Sequence, residues 1–145
     1  ASFISYLEKE VRPFIRQHYK VNDSTTLIGQ SFGGLLATEI LLKHPGMFMN
    51  YVIISPSLWW DAASLLVNAR SLFAGIPDIE THVFIAVGDE GDQMKDVASM
   101  LSALLLESKK KNLYAHFQYM PRENHLTILH NAVYKALQVL NVKRS

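Results

Sequence analysis

The stretch Thr26-Leu27-Ile28-Gly29-Gln30-Ser31-Phe32-Gly33-Gly34-Leu35-Leu36-Ala37 decides how the chain is read. A strand-forming run ends at Gly29, a helix-forming run begins at Leu35, and one serine stands at the corner between glycines. The spacing Gly29-x-Ser31-x-Gly33 suits a serine nucleophile on a sharp strand-to-helix turn, where glycines on both sides leave room for the backbone to come close. A G-x-S-x-G match arises by chance in roughly one chain in twenty of this length, so the flanks must carry the reading. Thr25 to Ile28 has the composition of a buried strand end, and Leu35, Leu36, Ile40 and Leu41 recur at helical spacing. The competing reading is a glycine-rich turn whose serine caps the following helix.

Outward from that corner the chain alternates strand and helix. Residues 2–18 place Phe3, Ile4, Leu7, Val11, Phe14 and Ile15 at a helical period, with Pro13 expected to kink or shorten the helix. A strand at 25–29 leads into the elbow helix, which His44-Pro45-Gly46 stops after Lys43. Tyr51 to Ser55 reads as a second buried strand before a helix at 61–73, and His82 to Val87 as a third, closed by Gly88, before a helix at 92–110. Tyr114 to Met120 is the fourth strand and Thr127 to Leu140 the last amphipathic helix. Strands alternating with helices of about a dozen residues predict an α/β fold, a three-layer α/β/α arrangement around a mainly parallel sheet. Residues 1–145 read as a single domain, with no internal repeat or interdomain linker. In such sheets ligands sit beyond the carboxyl ends of the strands, so the turns after the strands should carry the chemistry.

Composition narrows the partners. With 145 residues, 49% of them hydrophobic, the chain can bury a sizeable core. Formal net charge is +1, and the only basic run, Lys109-Lys110-Lys111, falls at an expected helix end where cations complement the dipole. Nucleic acid is therefore not an expected partner. No apolar run approaches the roughly 20 residues of a membrane span, and the opening residues lack the basic start and small-residue cleavage site of a secretory signal. Without cysteine there is no disulfide and no thiolate metal site, and the redox compartment stays open.

The turns can be taken one at a time. Ser31 follows the first strand; a hydroxyl is a poor nucleophile, so it needs a base within reach and donors for the oxyanion formed on attack. The backbone N–H of Phe32, at a helix start, is a natural oxyanion-hole donor. The last strand runs into Pro121-Arg122-Glu123-Asn124-His125, which puts a histidine in a polar loop before a helix. Of the six histidines, only His125 lies in a turn that the topology sends toward the serine. Asp89, Glu90 and Asp92 cluster after the third strand; one of them can orient the imidazole, and any of them can equally cap the following helix. The residues alone leave that choice open. Trp59 and Trp60, in Ser55-Pro56-Ser57-Leu58-Trp59-Trp60, are candidates for one wall of an apolar substrate pocket, with core packing as the alternative. No metal-ligand spacing and no phosphate loop is present, so neither a metal nor another cofactor is expected.

Taken in order, GQSFGG at 29–34, SPSLWW at 55–60, VGDEGDQM at 87–94 and ENH at 123–125 resemble the "Putative esterase" branch of the α/β-hydrolases, which includes esterase D-like enzymes and siderophore esterases. The resemblance spans nearly the whole chain. It implies that Ser31 is the nucleophile and His125 its histidine, in the order serine, acid, histidine. Relatives often carry the acid three residues after the strand-ending glycine, where this chain has Gly91. Glu90, followed by Asp92, is the expected substitute. Family members also have a hundred or more residues before the first helix of this chain, so the 145 residues are expected to be the C-terminal part of a longer hydrolase.

The expected function is therefore a serine esterase acting on a small-molecule carboxylic ester through an acyl-enzyme, with an acyltransferase on the same site as the variant. The alternative is a non-catalytic, hydrolase-like binding module. A nucleophile strand at the edge of four parallel strands would leave backbone unpaired, which makes self-association through that edge an expectation.

Overall fold

The computed structural model describes residues 2–142. In chain order the elements are α1 (Phe3–Tyr6), a π-helical stretch (Leu7–Val11), α2 (Arg12–His18), β1 (Thr26–Gln30), α3 (Phe32–Lys43), β2 (Asn50–Ile54), α4 (Trp60–Ala74), β3 (Thr81–Gly88), α5 (Asp92–Glu107), β4 (Leu113–Met120) and α6 (Ile128–Val142). The four strands form one parallel sheet in the order β1-β2-β3-β4. The expected α/β class and the order of elements are thus observed.

Alternation along the central strands divides the core in two. Tyr51 and Ile53 of β2, with Val83, Ile85 and Val87 of β3, face the larger cluster, which α3, α4 and α5 cover. Val52, Ile54, Phe84 and Ala86 face the other way, against Ile128, Ala132, Ala136 and Leu140 of α6. All five β2 residues are buried, as strands covered on both faces must be, which is why Tyr51 to Ile54 reads as a continuous apolar run. Burying each such valine or isoleucine is worth roughly 1.5–3 kcal/mol. Tyr51 lies deep enough that burial pushes its phenol up to about 12.

Among the described residues, the second helical layer covers part of the sheet. α6 covers β2 and β3, while Ile28 of β1, on α6's side of the sheet, is 44% exposed. β1 and β4 are the two sheet edges.

Local departures from the expected boundaries have physical causes. Pro13 does not end the first helix. Its missing N–H and bulky ring are accommodated by the widened π turn before it, in which Arg12 N–H reaches Leu7 O five residues back, and Pro13 falls in the first turn of α2. α5 stops at Glu107 instead of running to 110: Lys109 turns left-handed (φ 51°), and the Ser108 hydroxyl takes up the Leu105 carbonyl. The chain enters α4 through Asp61, Ala62 and Ala63, all at positive φ, which kinks the start of that helix. The start of α6 is set by reciprocal capping: Asn124 Oδ1 accepts from the N–H groups of Leu126 and Thr127, while Thr127 Oγ1 accepts from Asn124 N–H. His125 is held inside that cap.

Candidate active site

Ser31 sits at φ 58° and ψ −120°, a conformation that residues with side chains rarely adopt. Backbone bonds on both sides hold it there. Its N–H donates to Ile54 O at the end of β2 (3.0 Å), and its carbonyl accepts from Leu35 N–H (3.0 Å) and Ser57 N–H (3.1 Å). The corner closes tightly, because a Cβ at Gly29 would stand 2.1 Å from Gly33 O and one at Gly34 would stand 3.0 Å from Pro56 Cα. Gly33 differs from the expectation for its motif. A Cβ there would meet nothing within 4 Å, so the close approach on the helix side belongs to Gly34.

The acid turn is built from three elements. Glu90 follows β3, and its side chain is 4% exposed. Its Oε1 accepts from the N–H of Gly88 (3.0 Å) and from the hydroxyl of Ser55, just past β2. Its Oε2 lies 2.7 Å from His125 Nδ1. A carboxylate only accepts, so the imidazole donates Nδ1–H and leaves Nε2 as its acceptor. The histidine loop is tied down by its backbone: Gln30 Nε2 donates to His125 O (2.6 Å) and Asp89 N–H to Glu123 O (2.7 Å).

The other two acids are engaged elsewhere. Asp92 opens α5 and pairs with Lys95 (3.2 Å), and Asp89 lies between Lys95 and the Tyr119 hydroxyl. The hydrogen bond to Asp92 raises the Lys95 ammonium above its ordinary value. Bonds from the side chains of Thr127 and then Asn131 hold Glu123 below the usual carboxylate value.

Ser31, Phe32, Ser57, Trp59, Glu90 and His125 line one open cleft of about 370 Å³. Ser31 Oγ is 3.2 Å from Ser57 Oγ. Phe32 begins α3, and the first turn of a helix leaves its N–H groups without intrahelical acceptors. Trp59 is on the cleft wall. Trp60 packs edge-on against Phe32 (5.3 Å between centroids) and lines a neighbouring groove with Leu35 and Leu65. Ser55 and Ser57 are the site residues that sequence reasoning missed. Both stand in the SPSLWW segment beside the two tryptophans, and small hydroxyl residues at a strand end are the signal that marks them.

The model of the family described as "Putative esterase" matches residues 1–132. The chain belongs to this family. The chain is similar to the ferri-bacillibactin esterase BesA of Bacillus subtilis, 26% identical over 144 residues that cover 94% of this chain and 50% of that protein. Among solved structures, the BES protein from Bacillus cereus superposes with a TM-score of 0.85 at 33% identity, over 93% of this chain and 52% of that one. An IroE-like serine hydrolase from Shewanella oneidensis superposes with a TM-score of 0.86 at 26% identity, over 95% and 46%. The sheet and its helices are thus a portion of the α/β-hydrolase-like esterase fold, and the chain spans about half the length of the relatives it matches.

Proposed function

We propose that the protein is a serine esterase in which Ser31, His125 and Glu90 act as nucleophile, base and orienting acid. The observation that carries this reading is a strained serine and a carboxylate-held imidazole opening onto one cleft. Ser31 Oγ attacks the ester carbonyl while His125 Nε2 takes its proton. Glu90 keeps the ring in the Nδ1–H tautomer and stabilises the imidazolium. The oxyanion is received by Phe32 N–H at the start of α3. As the tetrahedral intermediate collapses, the imidazolium protonates the departing alcohol, leaving an acyl-serine. Water then gives a proton to the same nitrogen and adds to the acyl carbonyl; the bond to Ser31 Oγ breaks, the imidazolium returns the proton to that oxygen, and the acid leaves. The structure pairs Ser31 Oγ with Ser57 Oγ, and the proposed mechanism has Ser31 turn toward the imidazole when substrate binds, as catalytic hydrogen bonds often tighten only then. Small-molecule esters are the substrate class, and the name of BesA makes siderophore esters the first to try. Trp59 would form one wall of the acyl pocket.

The test is labelling with a fluorophosphonate, the modified residue being mapped by mass spectrometry in native protein, heat-denatured protein and His125→Ala. Labelling of Ser31 is expected in native protein only, falling by about 10³-fold or more in the histidine variant, as when a member of a triad is removed. Labelling that survives denaturation or the loss of His125 would refute an assembled nucleophile. Product analysis with an added alcohol separates hydrolysis from acyl transfer.

A second reading follows from the free edge of β1 and the exposed Ile28: a binding surface through which chains associate. Light scattering over a concentration series tests it, and a strict monomer with esterase turnover would exclude it.

A further inference from the structure

Ser55 is fully buried, yet it holds φ at 43°, in the left-handed region that favours glycine. Packing alone gives no reason for a serine there, since glycine would fit the backbone with less strain. The hydroxyl supplies the reason. It donates to Glu90 Oε1, while the Ser55 N–H donates to Ala86 O (2.8 Å) and fixes that hydroxyl against β3. With the Gly88 N–H, Glu90 Oε1 then has two donors from two different strand ends. Two donors on one oxygen fix the plane of a carboxylate and turn the other oxygen outward. That other oxygen is the one on His125 Nδ1.

We propose that Ser55 is a positioning residue, whose buried hydroxyl fixes the orientation of Glu90 so that Oε2 holds the His125 ring with its proton on Nδ1. This inference rests on Glu90 being the orienting acid of the proposed esterase. Ser55 is buried and is not among the residues that line the cleft, so it acts through the carboxylate. A strained backbone retained at a buried polar side chain is what such a role requires.

Two hydroxyl-free variants separate positioning from folding. Ser55→Ala loses the hydroxyl and keeps the positive φ, whereas Ser55→Gly loses the same hydroxyl and relieves the strain, so Ser55→Gly should melt no lower than Ser55→Ala. The ¹⁵N shifts of the His125 ring, read where the ring is neutral, report which nitrogen carries the proton. The parent protein should show the Nδ1–H tautomer, and both variants should shift toward Nε2–H. With a turned-over ester, kcat should fall about tenfold or more in each variant, the size expected for one charge-assisted hydrogen bond, with KM nearly unchanged. In a Glu90→Gln background, Ser55→Gly should bring no further loss. A parent protein without the Nδ1–H tautomer, or variants that keep it, would overturn the proposal. If the protein hydrolyses no ester, the esterase reading fails while the tautomer measurement still decides the role of Ser55.

Discussion

The elbow after β1 and the acid turn after β3 solve one problem at different ranges. Each lies at the carboxyl end of a parallel strand, and each has a glycine where a side chain would strike a backbone carbonyl. A Cβ at Gly29 would stand 2.1 Å from Gly33 O, and one at Gly88 would stand 2.5 Å from Glu123 O. At the elbow the obstructing carbonyl is four residues away, on the same turn. At the acid turn it belongs to the histidine loop, 35 residues downstream. The first turn is therefore specified by its own sequence, and the second only by the loop that docks on it.

Substituting both glycines tests that contrast. Gly29→Ala should have the largest effect, about 3 kcal/mol or more, because the elbow cannot open without pulling Ser31 away from Ile54 and α3 from its first turn. The urea midpoint should drop accordingly, and fluorophosphonate labelling should disappear with it. Gly88→Ala should cost less, about 1–2 kcal/mol, since the loop carrying Glu123 is a surface connection that can recede. Its effect should instead fall on activity, because the same recession carries His125 away from Glu90. Equal losses of stability in the two variants would mean that the histidine loop is as rigid as the elbow, and the contrast would fail.

The same difference in range explains what the sequence made legible. Strands and helices were readable because Tyr51 to Ile54 of β2 is a continuous apolar run and α6 an amphipathic stripe, both local patterns. Ser31 stood out because its glycines are its neighbours. Choosing among Asp89, Glu90 and Asp92 was not local, because all three follow Gly88 within four residues and have similar chemistry. What separates them in the fold is a hydroxyl from β2's end and an imidazole from beyond β4, neither of which has a sequence spacing that marks it. The capping box that encloses His125, Asn124 with Thr127, lay in the sequence but carries no catalytic signature of its own. The π turn before Pro13 was hidden differently: a proline predicts a disturbance, while the way neighbouring backbone absorbs it depends on bonds the sequence does not spell out.

Gly33 sharpens the comparison from the other side. It belongs to the same motif as Gly29, yet a Cβ at Gly33 would reach open space, and its φ is not in the left-handed region. If the elbow needs glycine only where backbone approaches backbone, Gly33→Ala should leave the corner intact. It should even gain up to about 1 kcal/mol, since alanine loses less conformational freedom than glycine in the first turn of α3. A urea midpoint equal to or above the parent's is therefore expected, in contrast to the drop for Gly29→Ala. Turnover provides the second axis, because this glycine lies two residues beyond Ser31, the proposed nucleophile, and next to Phe32, whose N–H is the proposed oxyanion donor. A variant as stable as its parent but slower in acylation would mean that Gly33 clears space for substrate, and that the motif's two glycines answer to different demands. Loss of stability in Gly33→Ala would show instead that the whole elbow, and not its close contacts alone, selects against a side chain.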